Sequence, residues 1–362
     1  MKLQFSIRFE SIGNESEIHN NRIALNYESR IRFTFQTVEK YWINQDYYMW
    51  LYFCKRIFLG VLIVVVAVSM LYSMIHMVPG DPVKTLLGPR ASPELQAKIR
   101  TKMGLDDPLP VQIVKFIGNV AQGDLGQDVF KRKSVNTIVF EQLPHTIYLV
   151  LAGIGWAMLV GIPLGCLSAI YRNSLIDRFV GILSVSCIAI PTFVVAIYSV
   201  LLFAVTLKWL PAIGAGNGET VSSYITHLIL PAFAVGLGWV GYLARLVRAS
   251  MLEVMSENHV RTARAFGLPE KTIVFKYVLR LAILPTITLL GMGIGILLSS
   301  AVFTEIVFAR PGIGRLIYDS VTSRNYPVVM GSVLVTTVLF VISTTIADLV
   351  NALVDPRLRN EG

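Results

Sequence analysis

Residues 57–78 read IFLGVLIVVVAVSMLYSMIHMV, 22 positions without one Asp, Glu, Lys or Arg. As an α-helix rising ~1.5 Å per residue, this run covers roughly 33 Å and spans a hydrocarbon core of ~30 Å. It is long for the apolar part of a signal peptide, and Pro79-Gly80-Asp81-Pro82 follows in place of a cleavage site. The sequence therefore predicts a retained membrane-spanning helix.

Further apolar runs follow, and together they predict an all-α, polytopic membrane protein with about six transmembrane helices. Their approximate bounds are 146–170, 179–207, 228–244, 281–304 and 328–347. Charged residues make up 15% of the chain, against about 25% in a typical soluble protein. Much of the apolar surface is therefore expected to meet lipid.

The basic residues between the runs predict the orientation of the chain. Residues 245–280 carry seven Lys or Arg, whereas residues 209–226 carry none. Because short cytoplasmic loops are enriched in Lys and Arg, both termini are expected on the cytoplasmic side. The formal net charge of +9 is then explained by the membrane, and no aromatic-and-basic patch suggests nucleic acid as a partner.

Four segments are predicted along the chain. Residues 1–48 are polar, with six Lys or Arg and six Asp or Glu, and read as a cytoplasmic extension, a partner-docking tail or an artefact of a start upstream of Met49. Residues 49–143 would hold the first helix and a periplasmic cap region. Residues 144–351 would form the core with five helices and a cytoplasmic loop at 249–281, and residues 352–362 a cytoplasmic tail.

Several functions are disfavoured by what the sequence lacks. The apolar cores contain no Asp, Glu, Lys or Arg, which disfavours an ion-coupled carrier that works through carboxylates, although carriers that coordinate ions through backbone carbonyls stay open. No Gly-x-x-x-x-Gly-Lys phosphate loop occurs, so energy for active transport would enter through another subunit. The three cysteines and five histidines are dispersed and predict no metal site.

The 249–281 loop is the most informative segment. Ser256 or Asn258 can cap a short helix, Gly267 suits its left-handed C-cap, and Pro269 suits the first turn of a second helix. Small alanines beside Phe266 predict a knob that seats in a groove on a partner, with arginines on either side. The alternative is a basic amphipathic helix that lies on anionic headgroups.

The residues of this loop also carry a family resemblance. The octapeptide RTARAFGL at 261–268 resembles the coupling loop of binding-protein-dependent ABC importers, and more narrowly the B-type permease of dipeptide and oligopeptide systems. The likeness covers residues 53–359. It includes PGDP at 79–82, GLDDPL at 104–109, GDLG at 123–126, WLPA at 209–212, EIVF at 305–308, PGIGRL at 311–316, YPVV at 326–329 and DPRLR at 355–359.

This resemblance implies an ABC type I importer permease fold and a non-catalytic permease subunit in the bacterial inner membrane. It implies a coupling helix that docks on ATP-binding subunits, formed by His259, Arg261, Thr262, Ala263, Arg264, Ala265, Phe266 and Gly267. A second homologous permease, two ATP-binding subunits and an extracytoplasmic solute-binding protein would be its partners. This chain would bind no cofactor itself, since the ATPase subunits use the ATP.

The expected substrate is a dipeptide or oligopeptide. Related permeases of the same architecture import nickel chelates, opines or haem, and these stay open, as does an ion-coupled carrier of another class.

Two smaller sets of residues are also candidates. Gly291, Gly295 and Ser299 share one helical face, which predicts close helix packing within the chain or across a permease dimer. Glu305 and Arg315 flank Pro311-Gly312 at the outer end of the fifth run. They are candidates for an outer gate or a contact with the receptor.

Overall fold

The computed structural model describes residues 54–74, 77, 83, 91–102, 106–131, 133–216 and 220–354, and these residues are almost entirely helical. Within them, β-pairing is limited to an isolated bridge between Gln127 and Ser134. The helices are α1 (Cys54–Met74), α2 (Pro93–Lys102), α3 (Leu109–Ala121), α4 (Val135–Ile170), α5 (Leu175–Ala189), α6 (Thr192–Ser199, continued by a π-helical stretch Val200–Thr206), α7 (Val221–Met255), α8 (Asn258–Ala265), α9 (Glu270–Thr272, π-helical Ile273–Val278 and Leu279–Ala282), α10 (Leu284–Val307), α11 (Ile313–Thr322) and α12 (Tyr326–Val354).

The predicted all-α membrane fold is confirmed. The described residues include five helices, α1, α4, α7, α10 and α12, that are long and apolar enough to cross a membrane. The pair α5 and α6 makes a sixth span when its two arms are taken together. The predicted extension 1–48 lies outside the described residues. At the other end, α12 continues to Val354, past the predicted start of the tail at 352.

The third span differs from the expected single helix over 179–207. It breaks between α5 and α6, whose axes meet at 98°. Ile190 is extended (φ −86°, ψ 120°) and Pro191 precedes the first residue of α6. A proline disfavours the helical conformation in the residue before it and offers no N–H to the preceding turn, so the helix ends there although the sequence stays apolar.

Two spans are longer than the apolar runs predicted. α4 has 36 residues and begins at Val135, before the predicted boundary at 144, and α7 has 35 residues. At ~1.5 Å per residue, both exceed 50 Å and extend beyond a ~30 Å hydrocarbon core. Hydropathy detects the lipid-crossing part of each helix and misses the polar turns that continue it.

Glycines let α4 and α7 approach closely. A Cβ atom at Gly165 would lie 2.6 Å from the carbonyl oxygen of Ala244, and one at Gly236 would lie 2.3 Å from that of Gly153. The Trp156 indole on α4 donates a hydrogen bond of 2.7 Å to the carbonyl oxygen of Ala232 on α7. Small residues and interhelical hydrogen bonds are the means by which helices associate in lipid.

Only two of the three small residues predicted to form a packing face on the fifth apolar run take part in helix packing. A Cβ atom at Gly291 would lie 2.1 Å from the Cβ atom of Ala347, and one at Gly295 would lie 2.8 Å from the Phe340 ring, so both glycines pack against α12. Ser299 is exposed and takes no part in that contact.

Apolar clusters fill both ends of the bundle. At one end, which we call the α8 end, the last turns of α4 and α7 pack with α8 and α9. At the opposite end, the α11 end, the first turns of α4 and α12 pack with α11. Nearby, α6 packs with Leu230 and Ala234 of α7 and with Phe308, the residue after α10. These clusters hold the two candidate sites in place.

Candidate functional site

Helix α8 is anchored to the bundle by one face. Val260 and Ala263 are buried in a cluster that includes Met251 of α7 and Ile273 of α9. The opposite face is exposed, and it carries Arg261 and Thr262. Burial of two apolar side chains against two longer helices fixes the position of α8 on the end of the bundle.

The predicted knob contains fewer exposed residues than expected, because Ala263 faces the chain's own core with 6% of its surface exposed. The projecting side chain is Phe266, which is 82% exposed. Phe266 occupies the C-cap, where the chain leaves the helix, so its ring does not follow Ala263 into the cluster. Exposed neighbours of Phe266 are Ala265 and Gly267.

The end of α8 is a Schellman motif. Gly267 has φ +76°, its N–H donates to the carbonyl oxygen of Arg264 at 2.9 Å, and the N–H of Leu268 donates to that of Ala263 at 3.3 Å. The predicted left-handed glycine cap is thus present. At the other end, the cap position holds Glu257 instead of Ser256 or Asn258, without a side-chain cap.

Substitutions at Gly267 test this cap. No heavy atom lies within 4 Å of a Cβ atom built there, so only the backbone conformation opposes a side chain. We expect Gly267→Ala to destabilise the α8–α9 turn by about 1–2 kcal/mol, the cost of a left-handed L-residue. Gly267→Asn should cost less, because asparagine tolerates this conformation. Thermal unfolding of the purified protein checks the order, and equal losses for both variants would contradict it.

The two arginines of α8 have different surroundings. Arg264 donates to the carboxylate of Glu270 at 2.7 and 3.4 Å across the turn. For Arg261, no intrachain partner occurs within the described ranges. An exposed ion pair stabilises little, about 0–1 kcal/mol. Arg261, with exposed Lys271, Lys276 and Arg280, leaves the α8 end positively charged.

At the α11 end, Glu305 joins three helices. Its side chain is 0% exposed, and Oε1 accepts a hydrogen bond of 2.6 Å from the Thr146 hydroxyl of α4. Oε2 accepts from the N–H of Arg315 at 3.1 Å, and the N–H of Ile313 donates to the Thr146 oxygen at 2.9 Å. We call Thr146, Glu305, Ile313 and Arg315 the Glu305 cluster. An anion at the first turn of a helix is favoured by the unpaired N–H groups and the helix dipole.

Burial of Glu305 changes its predicted role. The carboxylate touches no solvent, so in this conformation it cannot contact a receptor, and it instead braces α11 against α4 and α10. Gly312 permits this contact, since a Cβ atom there would lie 2.2 Å from the Glu305 carboxylate. Arg315, the other candidate, is partly exposed, with its guanidinium bonded to the carbonyl oxygen of Ala309.

Arg310 is a buried cation beside this cluster. Its Nη1 donates to the carbonyl oxygen of His227 at 3.4 Å. That carbonyl has no intrahelical donor, because the residue four positions later is Pro231, which lacks an N–H. The Arg310 guanidinium also lies 4.8 Å from the centroid of the Tyr224 ring. Burial lowers the pKa of the Arg310 guanidinium from its usual value, while Tyr224 and Glu305 oppose that shift. The sequence did not predict this contact, because it joins segments that are 83 residues apart.

Comparison with known proteins places these features in a family. Residues 161–360 match the family described as "Binding-protein-dependent transport system inner membrane component", and residues 49–150 match the N-terminal domain that accompanies it. The chain belongs to this family. It is therefore a permease subunit of an ABC importer and a multi-pass protein of the inner membrane.

Similar proteins support the same assignment. The permease is 35% identical over 309 residues to the glutathione transport system permease protein GsiC of Salmonella paratyphi A. The matched region covers 85% of this chain and 98% of that protein. GsiC of Escherichia coli K12 shows the same identity and coverage. The fold resembles a chain of the MetNI methionine ABC transporter in an inward-facing conformation, with a TM-score of 0.51 at 17% identity, covering 60% of this chain and 96% of that one.

One ion pair of the permease was not predicted from the sequence. Asp177 of α5 accepts hydrogen bonds from Arg248 of α7 at 2.6 and 2.9 Å and from the Ser168 hydroxyl of α4 at 2.5 Å. Ser174 caps the same turn, so a capping pattern, serine three positions before an acid, was visible in the sequence. The arginine partner lies 71 residues away and could not be inferred.

Loss of this pair is expected to loosen the α8 end of the permease. Asp177→Ala leaves Arg248 without its acceptor, and removal of one partner from a buried pair costs about 3–5 kcal/mol. Because Arg248 is partly exposed, we expect a loss near the lower value. Exposed Asp319→Ala serves as the matched control. Equal melting temperatures for the two variants would show that the pair does not stabilise the fold.

Proposed function

We propose that this permease carries peptides across the inner membrane and that Phe266 is the contact through which ATP-binding subunits drive it. The observation that carries the proposal is the 82% exposure of a phenylalanine at the end of a helix whose other face is fixed to the bundle. A large aromatic side chain exposed at such a position is typical of a protein–protein anchor.

The packing of α8 supports transmission of movement into the membrane. Val260 and Ala263 contact a cluster shared with α7 and α9, so a displacement of α8 acts on both helices. The positive charge around Arg261 suits an acidic rim on the ATPase groove. Charge complementarity of this kind sets partner choice and association rate more than affinity.

The remaining partners belong to the same proposal. Six spans are few for enclosing a peptide path, so we propose a second homologous permease. Membership of the binding-protein-dependent family supports two ATP-binding subunits and an extracytoplasmic solute-binding protein. The positively charged α8 end would face the cytoplasm, with both termini on that side. This subunit would perform no covalent chemistry and bind no cofactor, since the ATP is used by its partners.

The substrate proposal is supported by the similar permeases. GsiC belongs to a glutathione transport system, and glutathione is a small peptide. Dipeptides and oligopeptides are therefore the proposed class. Nickel chelates, opines and haem remain the alternatives within the same architecture.

A reconstituted complex tests the assignment. The permease, purified with its co-expressed partners and placed in liposomes, should take up a labelled tripeptide only when ATP and the solute-binding protein are present. Stimulation of ATP hydrolysis by nickel chelates or haem, and not by peptides, would assign one of the alternative substrates. Uptake by the permease alone under an ion gradient, without ATP, would favour an ion-coupled carrier and overturn the proposal.

A further inference from the structure

The break between α5 and α6 leaves backbone polar groups without partners inside a membrane span. Ile190 is extended and Pro191 has no N–H. Among the described residues, no backbone hydrogen bond outside the helices ends on the carbonyl oxygens of Ile188, Ala189 or Ile190. The last carbonyls of a helix have no intrahelical donor, so they need a partner from elsewhere.

The length of α5 puts this break at membrane depth when α5 starts at a membrane surface and crosses it directly. α5 has 15 residues, so its end is about 22 Å from its start, within a hydrocarbon core of ~30 Å. Ile190 is 43% exposed on the surface of the chain. Unpaired backbone groups cost several kcal/mol each in lipid and are tolerated only where protein or a water-filled cavity surrounds them.

Two hydroxyl groups beside the break are also unpaired. Some hydroxyls in the spans donate to a carbonyl four residues earlier, as Ser69 does at 2.7 Å and Thr337 at 2.8 Å. Others are buried without a partner among the described residues, such as those of Thr286, Thr304 and Ser332. The side-chain hydroxyls of exposed Ser186 and partly exposed Thr192 make no hydrogen bond within the described part of the chain. Unpaired hydroxyls and carbonyls so close together in sequence favour hydration of the break over contact with lipid.

The helices on both sides of the break are packed tightly against the bundle, so a small movement of α5 or α6 would not straighten the chain at this point. A Cβ atom at Gly241 of α7 would lie 2.4 Å from the carbonyl oxygen of Ser184, which shows how closely α5 is packed. On the other arm, Val195 and Ala196 are buried with Leu230 and Phe308. The unpaired groups therefore stay at a fixed position relative to α7 and α10.

We infer that the α5–α6 break lines the translocation path and that its carbonyl oxygens accept hydrogen bonds from the amide N–H groups of a passing peptide. The second half of this inference rests on the proposed peptide function, whereas the first half requires only a water-filled path. Ser186 and Thr192 would add hydroxyl contacts at the same level. A site built mainly from backbone groups recognises the peptide unit and not a particular side chain.

Cysteine labelling in the complete importer tests both halves. Cys54, Cys166 and Cys187 are first replaced by serine or alanine, and Ile190→Cys is introduced. The control is Ile63→Cys on α1, an apolar span with most of its surface exposed. A charged methanethiosulfonate reacts with the thiolate, which forms in water and not in lipid, so we expect at least about tenfold faster labelling at Ile190→Cys. A tripeptide without cysteine should slow that labelling. Ser186→Cys is nearly isosteric and repeats the measurement if Ile190→Cys assembles poorly.

The outcomes separate this inference from the proposed function. Equally slow labelling at Ile190→Cys and Ile63→Cys would mean that lipid or a partner subunit covers the break, and it would overturn the inference. Fast labelling that no peptide slows, in a complex that transports peptide, would overturn the peptide contact. Fast labelling in a complex that transports no peptide would support a water-lined break while the proposed substrate class fails.

Discussion

Alanine in place of Glu305 is expected to destabilise the permease by about 2–6 kcal/mol, because its carboxylate is fully buried and accepts a hydrogen bond at both oxygens. Without it, the Thr146 hydroxyl and the N–H of Arg315 lose their acceptor, and each unsatisfied buried group costs about 1–3 kcal/mol. The variant should therefore give little folded protein. Size-exclusion chromatography and thermal unfolding in detergent measure the loss.

Two further variants interpret that result. Asp319→Ala removes an exposed acid of α11 that lies 3.6 Å from the Arg315 guanidinium, and we expect a change of about 0–1 kcal/mol. Glu305→Gln keeps the shape and one acceptor oxygen, so its stability should fall between the other two. If Glu305→Ala and Asp319→Ala unfold at the same temperature, the brace between α11, α4 and α10 is not important for folding.

The second large effect concerns function and leaves the fold intact. Phe266→Ala removes a side chain that contributes almost nothing to the chain's own core. As the proposed anchor of the ATPase interface, it should contribute about 2 kcal/mol or more, which corresponds to a roughly 30-fold loss of affinity for the ATP-binding subunits. ATP-driven uptake should fall in proportion, while the melting temperature of the isolated permease stays unchanged.

Phe275→Ala is the matched control for this variant. Phe275 lies on α9, close to α8 in sequence, and is 60% exposed. Its loss removes the same chemical group from the same end of the molecule but not from α8. Copurification of the ATP-binding subunits with each variant measures the difference. Retention of the ATPases and of uptake by Phe266→Ala would place the coupling contact elsewhere.

The sequence predicted the spans because lipid imposes one requirement on every residue of a crossing helix. The break at Pro191 was not predicted, since the run around it is continuously apolar and hydropathy carries no information on backbone direction. The proline was visible, but prolines also occur inside α4 and α7, where the helices continue through them. Whether a proline ends a helix depends on the packing of both arms, which the local sequence does not contain.

Helix α8 was predicted from its glycine cap, a local signal, whereas the burial of its residues depends on distant segments. Ala263 and Ala265 have the same side chain and lie two positions apart, yet only Ala263 meets α7 and α9. Similarly, Glu305 and Arg315 are charged residues near a membrane boundary, where exposure is the usual state. Thr146, 159 residues earlier, is what turns Glu305 into a buried brace.

The length of α7 has a consequence for how the two ends of the molecule communicate. Its last turns pack under α8 through Met251 and Val254, and its first turns carry Tyr224 and His227 beside Arg310. If movement of α8 tilted it, this helix would be a lever roughly 50 Å long. Pivoted near its middle, a tilt of about 10° would move each end by about 4 Å in opposite directions, more than the reach of a hydrogen bond. A push of that size at Phe266 would be sufficient to separate Arg310 from its carbonyl partner at the far side of the membrane.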